Sequence, residues 1–295
     1  MMASRISGLP GGIGLWGGFL DRVPASEAVA AARDIEAAGI RTVWLQEYSG
    51  VDPFVRAALY LQATDRLTVA LGVATIHGRD PEGMVAAAST LEEAFPGRFA
   101  LGLGVSHRPL AEARGRVYER PLTAMRDYLA GMDDARGRRT LPRRFLGALG
   151  PRMIDLASEA TDGIHTYFCP VAHTATSRAA VGPAPWIAPT QMVVTGAPGS
   201  GWHHHVRPYL GMCLSMSNYR QNLHRFGFDD ADLDAASARV IDALAVEDEP
   251  AALAQRLDEQ RAAGADHVVV QLVPPPPAAA VLDRVASGIA TGRDA

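Results

Sequence analysis

The sequence contains no lysine: all 28 of its lysine-plus-arginine positions are arginine. That excludes Schiff-base aldolase chemistry, a pyridoxal-phosphate lysine and the lysine of a phosphate-binding P-loop. Cysteine is nearly as scarce. Cys169 and Cys213 have neither metal-ligand nor redox-motif spacing, and a disulfide framework needs more of them. A reducing, cytoplasmic setting is the expectation. No run of about 18 apolar residues occurs, which leaves nothing that reads as a membrane-spanning helix. The opening stretch "MMASRISGLPGGIGLWGGFLDR" is broken by six glycines and no small-residue cleavage site follows it, so a signal peptide is not expected. The formal net charge of -4 gives no general attraction to nucleic acid or to an anionic membrane. The one basic run, Ala135 to Arg144, reads as a solvated loop.

What is present is a globular composition, 48% hydrophobic and 20% charged, in a chain of 295 residues. Short runs rich in Val, Ile and Leu alternate with helix-period segments at roughly 25 to 30 residues, about the length of one strand and one covering helix. The strand candidates are Gly12–Gly17, Thr42–Glu47, Leu67–Ile76, Arg98–Val105, Arg144–Gly150, Gly163–Phe168, "PWIAPTQMVVTG" and Asp266–Val273. Asp52 and Asp80 each precede a proline, the pattern of an N-cap followed by a residue with no amide to waste. Eight strands, mostly followed by helices, predict a (β/α)8 TIM barrel, with residues 1–295 as one domain and a helical insertion over about 199–264 before the last strand. An open doubly wound sheet uses the same alternation, but no G-x-G-x-x-G follows the first strand, and "GLGVSH" lacks the third glycine.

In such a barrel the chemistry sits where the strands end. The polar and aromatic residues there are Trp16, then Gln46, Glu47 and Tyr48, then Thr75 and His77, then Ser106 and His107, and finally His165 and Tyr167. The rim histidines show neither H-x-H nor H-x-x-x-H spacing, so no metal is expected. Successive residues of a helix point about 100° apart, which makes His203, His204 and His205 a helix surface rather than a ligand set. His267 opens the last strand, at the end away from the chemistry. The "GALGPRM" turn offers free amides at a helix start for an anion such as phosphate. "GLGVSHRP" offers a second close-approach loop. With the glycine-containing stave "ALGVAT", these loops suit a phosphorylated planar cofactor, Gly72 leaving room for a ring that Val73 supports.

The segments "AAGIRTVWLQE", "TDRLTVALGVATIHGRDP", "TLEEAFPGRFALGLGVSH", "YERPLTAMRDYL", "GALGPRMIDLASEATDGIH", "NYRQNLHRFGF" and "AGADHVVVQL", in this order, resemble the bacterial luciferase-like flavin and deazaflavin oxidoreductases. The resemblance is greatest to their actinobacterial branch using coenzyme F420. It implies hydride transfer between reduced F420 and a small organic substrate, with an FMN-dependent monooxygenase or a non-catalytic flavin-binding protein as alternatives, and a homodimer through the early barrel helices. It also implies a non-proline cis peptide at Gly72-Val73 behind the ring. Cofactor contacts then fall on Gly72, Val73, Ala74, Thr75, Gly104, Ser106, Leu149, Gly150, Pro151 and His165, and the substrate pocket on Trp16, Tyr48 and His107. Where many relatives carry an Asp-His pair this chain has Glu47 and Tyr48. Glu47 is therefore expected as the acid or base and His77 as the group that polarises the substrate. The segment "TATSRAAVGPAP" is short, and a shallow, open pocket is expected.

Overall fold

A computed structural model describes residues 12–48, 50–196, 201–275 and 280–281. The N-terminal residues 1–11, and Gly199 and Ser200 at the start of the expected insertion, lie outside them.

Among the described residues ten strand segments follow in chain order: β1 (Gly12–Trp16), β2 (Thr42–Leu45), β3 (Thr68–Leu71), β4 (Ala74–Thr75), β5 (Phe99–Gly104), β6 (Arg143–Gly147), β7 (Gly163–Thr166), β8 (Trp186–Val194), β9 (Ala245–Glu247) and β10 (His267–Val273). Every pairing among them is parallel, and β10 bonds to both β1 and β8, which closes the sheet into a barrel. Two features depart from the expected eight strands. The third stave is broken in two at Gly72-Val73, with β4 pairing β5 alone. The short β9 pairs β8 at Met192 to Val194, beyond the part of β8 that β7 covers.

The helix starts follow local chemistry. Asp52 accepts hydrogen bonds from the amides of Phe54 and Val55, and Asp80 from that of Gly83, each with proline at the first helical position. Both aspartates thus orient the chain leaving a strand end. The helices pack their apolar stripes on the outside of the barrel, where alternate strand residues such as Leu15, Val43, Val69, Leu101 and Leu146 point. The other alternate set fills the lumen with Trp16, Trp44, Ala70, Ala100, Phe145, Trp186, Ala188 and Val269. His267 is part of this filling: its ring is 1% exposed and its Nε2 accepts from Trp44 Nε1 at 3.1 Å.

Among the described residues between β8 and β9, four helices, Trp202–Leu214, Ser217–Arg225, Asp230–Ala235 and Ala238–Leu244, make a second apolar cluster with Phe168, Met192, Val194 and Val273. Those partners lie at or beyond the C-terminal ends of β7, β8 and β10. The insertion therefore roofs one side of the barrel mouth. His203 to His205 lie in its first helix, where His204 and His205 are exposed and His203 Nε2 sits 2.6 Å from Asp242 Oδ1.

Candidate active site

The barrel mouth is organised around Val73. The Gly72-Val73 peptide is cis, and the valine side chain leans on three glycines of the neighbouring staves. A methyl built at Gly104 would lie 2.3 Å from Val73 Cγ2, and methyls at Gly102 and Gly147 would lie 3.2 and 3.5 Å from Val73 Cγ1. Alternate glycines on β5 and one on β6 thus form a notch that receives the bulge, with the Leu71 carbonyl also pressed against Gly102. Gly72 has its own constraint, since a methyl there would come 2.8 Å from His165 Nε2.

His165 is 2% exposed and stacks on Trp44 and Trp16 at ring separations of 4.6 and 5.9 Å. Its Nδ1 donates to the Ala188 carbonyl at 2.9 Å, while Nε2 has no partner among the described residues. Burial lowers its pKa to about 4, so the ring is neutral at pH 7 and Nε2 is a bare acceptor beneath Gly72.

Glu47 sits at the end of β2 with its side chain 7% exposed. One carboxylate oxygen accepts from the Thr75 amide at 2.8 Å; the other lies 3.2 Å from Arg79 and 3.6 Å from Arg114. Arg79 also pairs with the helix cap Asp52, and Arg114 donates to the Tyr48 carbonyl at 2.9 Å. The Tyr48 side chain is turned outward and is 55% exposed. His77 follows on the next stave, its amide donating to Thr75 Oγ1 at 3.2 Å and its ring 6.0 Å from that of Tyr118. Burial lowers the His77 pKa below the usual imidazole value, helped by the charges of Arg116 and Arg114 and opposed by the Val105 backbone.

In the loop after β5, Ser106 lies in the left-handed region, φ 61°, and its carbonyl accepts from the Tyr118 hydroxyl at 3.3 Å. His107 Nδ1 lies 2.9 Å from Asn218 Oδ1, so this loop touches the insertion. After β6, the helix Pro151–Ala160 begins at Gly150 with no side-chain cap. The Leu149 carbonyl is taken by His173 Nε2 at 2.9 Å. The guanidinium of Arg225, from the second insertion helix, stands 3.5 Å from where a Gly150 methyl would be. An uncapped helix start with an arginine beside it presents amides and positive charge to the same point.

The luciferase-like monooxygenase family matches residues 9–184, more than half of the chain. The chain belongs to the luciferase-like monooxygenase family. A Mycobacterium tuberculosis (strain ATCC 25618 / H37Rv) protein provisionally named as a coenzyme F420-dependent oxidoreductase is 31% identical over 55% of this chain and 45% of its own length. The 5,10-methylenetetrahydromethanopterin reductase of Methanolobus tindarius is 26% identical over 50% of this chain and 51% of its own. The chain thus spans about half the length of these curated relatives. Among solved structures, an F420-dependent secondary alcohol dehydrogenase with an F420-acetone adduct shares the fold with a TM-score of 0.75 and 13% identity, covering 97% of this chain and 100% of that one. The FMN-bound oxygenating constituent of 3,6-diketocamphane monooxygenase from Pseudomonas putida shares it with a TM-score of 0.66 and 14% identity, over 96% and 98% of the two chains.

In this member of the luciferase-like family, Gly72, Val73, Gly104 and His165 come together about the bulge, with Glu47, Thr75 and His77 beside it. Gly147, which touches Val73, is followed within a few residues by Leu149, Gly150 and Pro151, so bulge and helix start share one rim. Trp16 meets them through His165, and His107 approaches from the insertion side through Tyr219, 5.1 Å from its ring. Tyr48 does not join them. Ala74 is fully buried behind the stave. Sequence reasoning did not single out Arg225 as a neighbour of Gly150, although "NYRQNLHRFGF" contains it, nor the Val73 notch, whose signal is the alternation "LGLG". Among the described residues no group of three or more His, Cys, Asp or Glu could hold a metal ion.

Proposed function

We propose that this chain is an oxidoreductase that binds coenzyme F420 and moves a hydride between the reduced deazaflavin and a small organic substrate. The observation that carries the reading is the common rim: the Val73 bulge in its glycine notch and the uncapped Gly150-Pro151 helix start beside Arg225 lie at one end of the barrel. A planar ring would lie over the Val73 bulge, since His165 and Trp44 take up the space beside Gly72, and a phosphate would meet the amides after Gly150, with Ser106 on the same rim. When bound, F420 supplies a hydride-carrying ring carbon. The F420-dependent name of the Mycobacterium tuberculosis relative supports this cofactor over FMN.

The chain's own groups divide the remaining work. Glu47 is held as an acceptor by an amide and two arginines, an arrangement that suits a positioning residue fixing Thr75 and His77 better than an acid. His77 is neutral near pH 7 and can accept a proton from the substrate or return one. A homodimer through the early helices would cover Val55 and Leu59, exposed on the helix Pro53–Ala63. The two free, buried thiols fit a cytoplasmic setting. No helix among the described residues is long and apolar enough to cross a membrane.

The decisive experiment titrates the purified protein with F420 and, separately, FMN, following absorbance. Tighter binding of F420, weakened about tenfold by Arg225→Gln through the lost phosphate contact, is the expected result. Preference for FMN would move the reading to a flavin monooxygenase. A tight F420 complex that no donor or acceptor reduces or oxidises would make this a non-catalytic cofactor-binding protein, an outcome favoured by the replacement of Asp-His with Glu47-Tyr48.

A further inference from the structure

The cofactor reading leaves one buried histidine without a role. His173 lies in the helix Val171–Val181 that follows β7, and it is 1% exposed. Its Nε2 is 2.9 Å from the Leu149 carbonyl, which can only accept, so Nε2 carries the hydrogen. The Ser177 hydroxyl, one turn on and fully buried, lies 3.3 Å from Nδ1 and donates to it. Burial lowers the His173 pKa, opposed by the bond to Leu149 and helped by the charge of Arg225. The ring is thus neutral near pH 7 in one tautomer, with both nitrogens satisfied.

That hydrogen bond fixes the turn before the helix Pro151–Ala160. The Leu149 carbonyl and the Gly150 amide belong to one planar trans peptide and point opposite ways. Pinning the oxygen on His173 therefore aims the Gly150 N–H away from the helix Val171–Val181, and it keeps the carbonyl occupied rather than facing an anion at the first turn. The same imidazole meets the ring of Phe226, the residue after Arg225, at 5.6 Å. Asn222, fully buried, accepts from Arg225 Nη1 at 3.4 Å and donates to Cys169 Sγ at 3.4 Å. Nη2 is then the guanidinium atom nearest the place of a Gly150 methyl, at 3.5 Å. One buried assembly holds both the helix start and the arginine.

We infer that His173 is a positioning residue: through the Leu149 carbonyl and Phe226 it holds the Gly150 amide and Arg225 in register for the cofactor's phosphate. It touches no ligand itself. Its contribution is preorganisation, since without its donor the Leu149–Gly150 peptide is free to turn and the phosphate must bring its donors into line on binding. The ring of the cofactor, over Val73, does not depend on it. This inference rests on the phosphate placement given under the proposed function.

The test measures affinity for two ligands that differ in the phosphate alone: the deazaflavin core of F420 with its ribityl chain, and the same molecule carrying a terminal phosphate, both followed by deazaflavin fluorescence. Wild type is expected to prefer the phosphorylated ligand by about tenfold or more. His173→Phe keeps a ring against Phe226 but has no donor; it should lose most of that preference while binding the unphosphorylated core within about twofold of wild type. His173→Gln, which keeps a donor, should restore most of it. General damage to the fold would weaken both ligands alike, so an equal loss for the two, or an unchanged preference in His173→Phe, overturns the inference. Should that variant fail to fold, Ser177→Ala decides: releasing Nδ1 should cut the preference about two- to threefold, and an unchanged preference overturns the inference. FMN and riboflavin give the same comparison for a flavin site, so a protein that takes flavin and refuses deazaflavin refutes the F420 reading while His173 is still decided. A wild type indifferent to the phosphate removes the phosphate placement, and this inference with it.

Discussion

Adding one methyl group at Gly104 tests whether the Val73 notch organises the site. The new carbon would lie 2.3 Å from Val73 Cγ2, whereas carbon atoms prefer about 3.5 to 4.0 Å, so something must move by more than 1 Å. Overpacking of that kind costs about 1–3 kcal/mol, reduced by up to about 1 kcal/mol because alanine loses less chain entropy than glycine on folding. Gly104→Ala alone should therefore destabilise by about 1–2 kcal/mol. Val73→Ala, at a half-buried position, should cost about 1 kcal/mol in lost methyl contacts. In the double variant the methyl at position 104 occupies space the valine has vacated. The two changes should then be coupled favourably by about 1–2 kcal/mol, well beyond the roughly 0.3–0.5 kcal/mol scatter of independent sites. Urea unfolding of the four proteins, with F420 affinity measured on each, reads this directly. Additive stabilities, or a Gly104→Ala protein that binds F420 like wild type, would refute the packing argument.

Two other expectations concern the groups beside the notch. Glu47→Gln keeps a side chain able to accept from the Thr75 amide but leaves Arg79 and Arg114 without their shared anion; denaturant unfolding should show a loss of about 1–3 kcal/mol, and the pH profile of turnover should retain its imidazole limb. Disappearance of that limb would return the proton-transfer role to the carboxylate. The buried His165 titrates at about 4 in the folded protein, against an ordinary value of 6.5. The unfolded chain therefore binds more protons between those values, and stability should be full above pH 6.5 and fall as the pH drops toward 4, by up to about 3 kcal/mol from this group. Unfolding titrations at several pH values would check it, and a His165→Gln variant with an unchanged slope would assign the effect elsewhere.

The barrel was legible because most of the parallel strands are buried on both faces and several helices carry a start signal in sequence, as at Asp52-Pro53 and Asp80-Pro81. Composition could not reveal β9: its three residues, "AVE", extend a helix-period segment and become a strand only because β8 offers an uncovered edge. Leu67 to Ile76 reads as one apolar run, and its break depends on glycines 30 and more residues later. The alternation "LGLG" is visible in the sequence, but its occupant is defined only by the register that sets β4 against β5. Glu47 stands at the expected strand end, while its partners Arg79 and Arg114 come from two later loops. Arg225 is farther still from Gly150 in the chain, and only the folding of the insertion over the mouth makes them neighbours.

β9 gives that insertion a fixed hem. β8 is bordered first by β7 and then, from Met192 onward, by β9, while β10 runs along its opposite edge from Thr190. The four helices are thus stitched back into the barrel wall by main-chain bonds rather than hanging as a free flap. Residues on their inner faces, Tyr209 and Asn218 among them, can be exchanged to re-line the chamber without disturbing the register of the staves beneath. Selection for new substrates can therefore work on this lining alone.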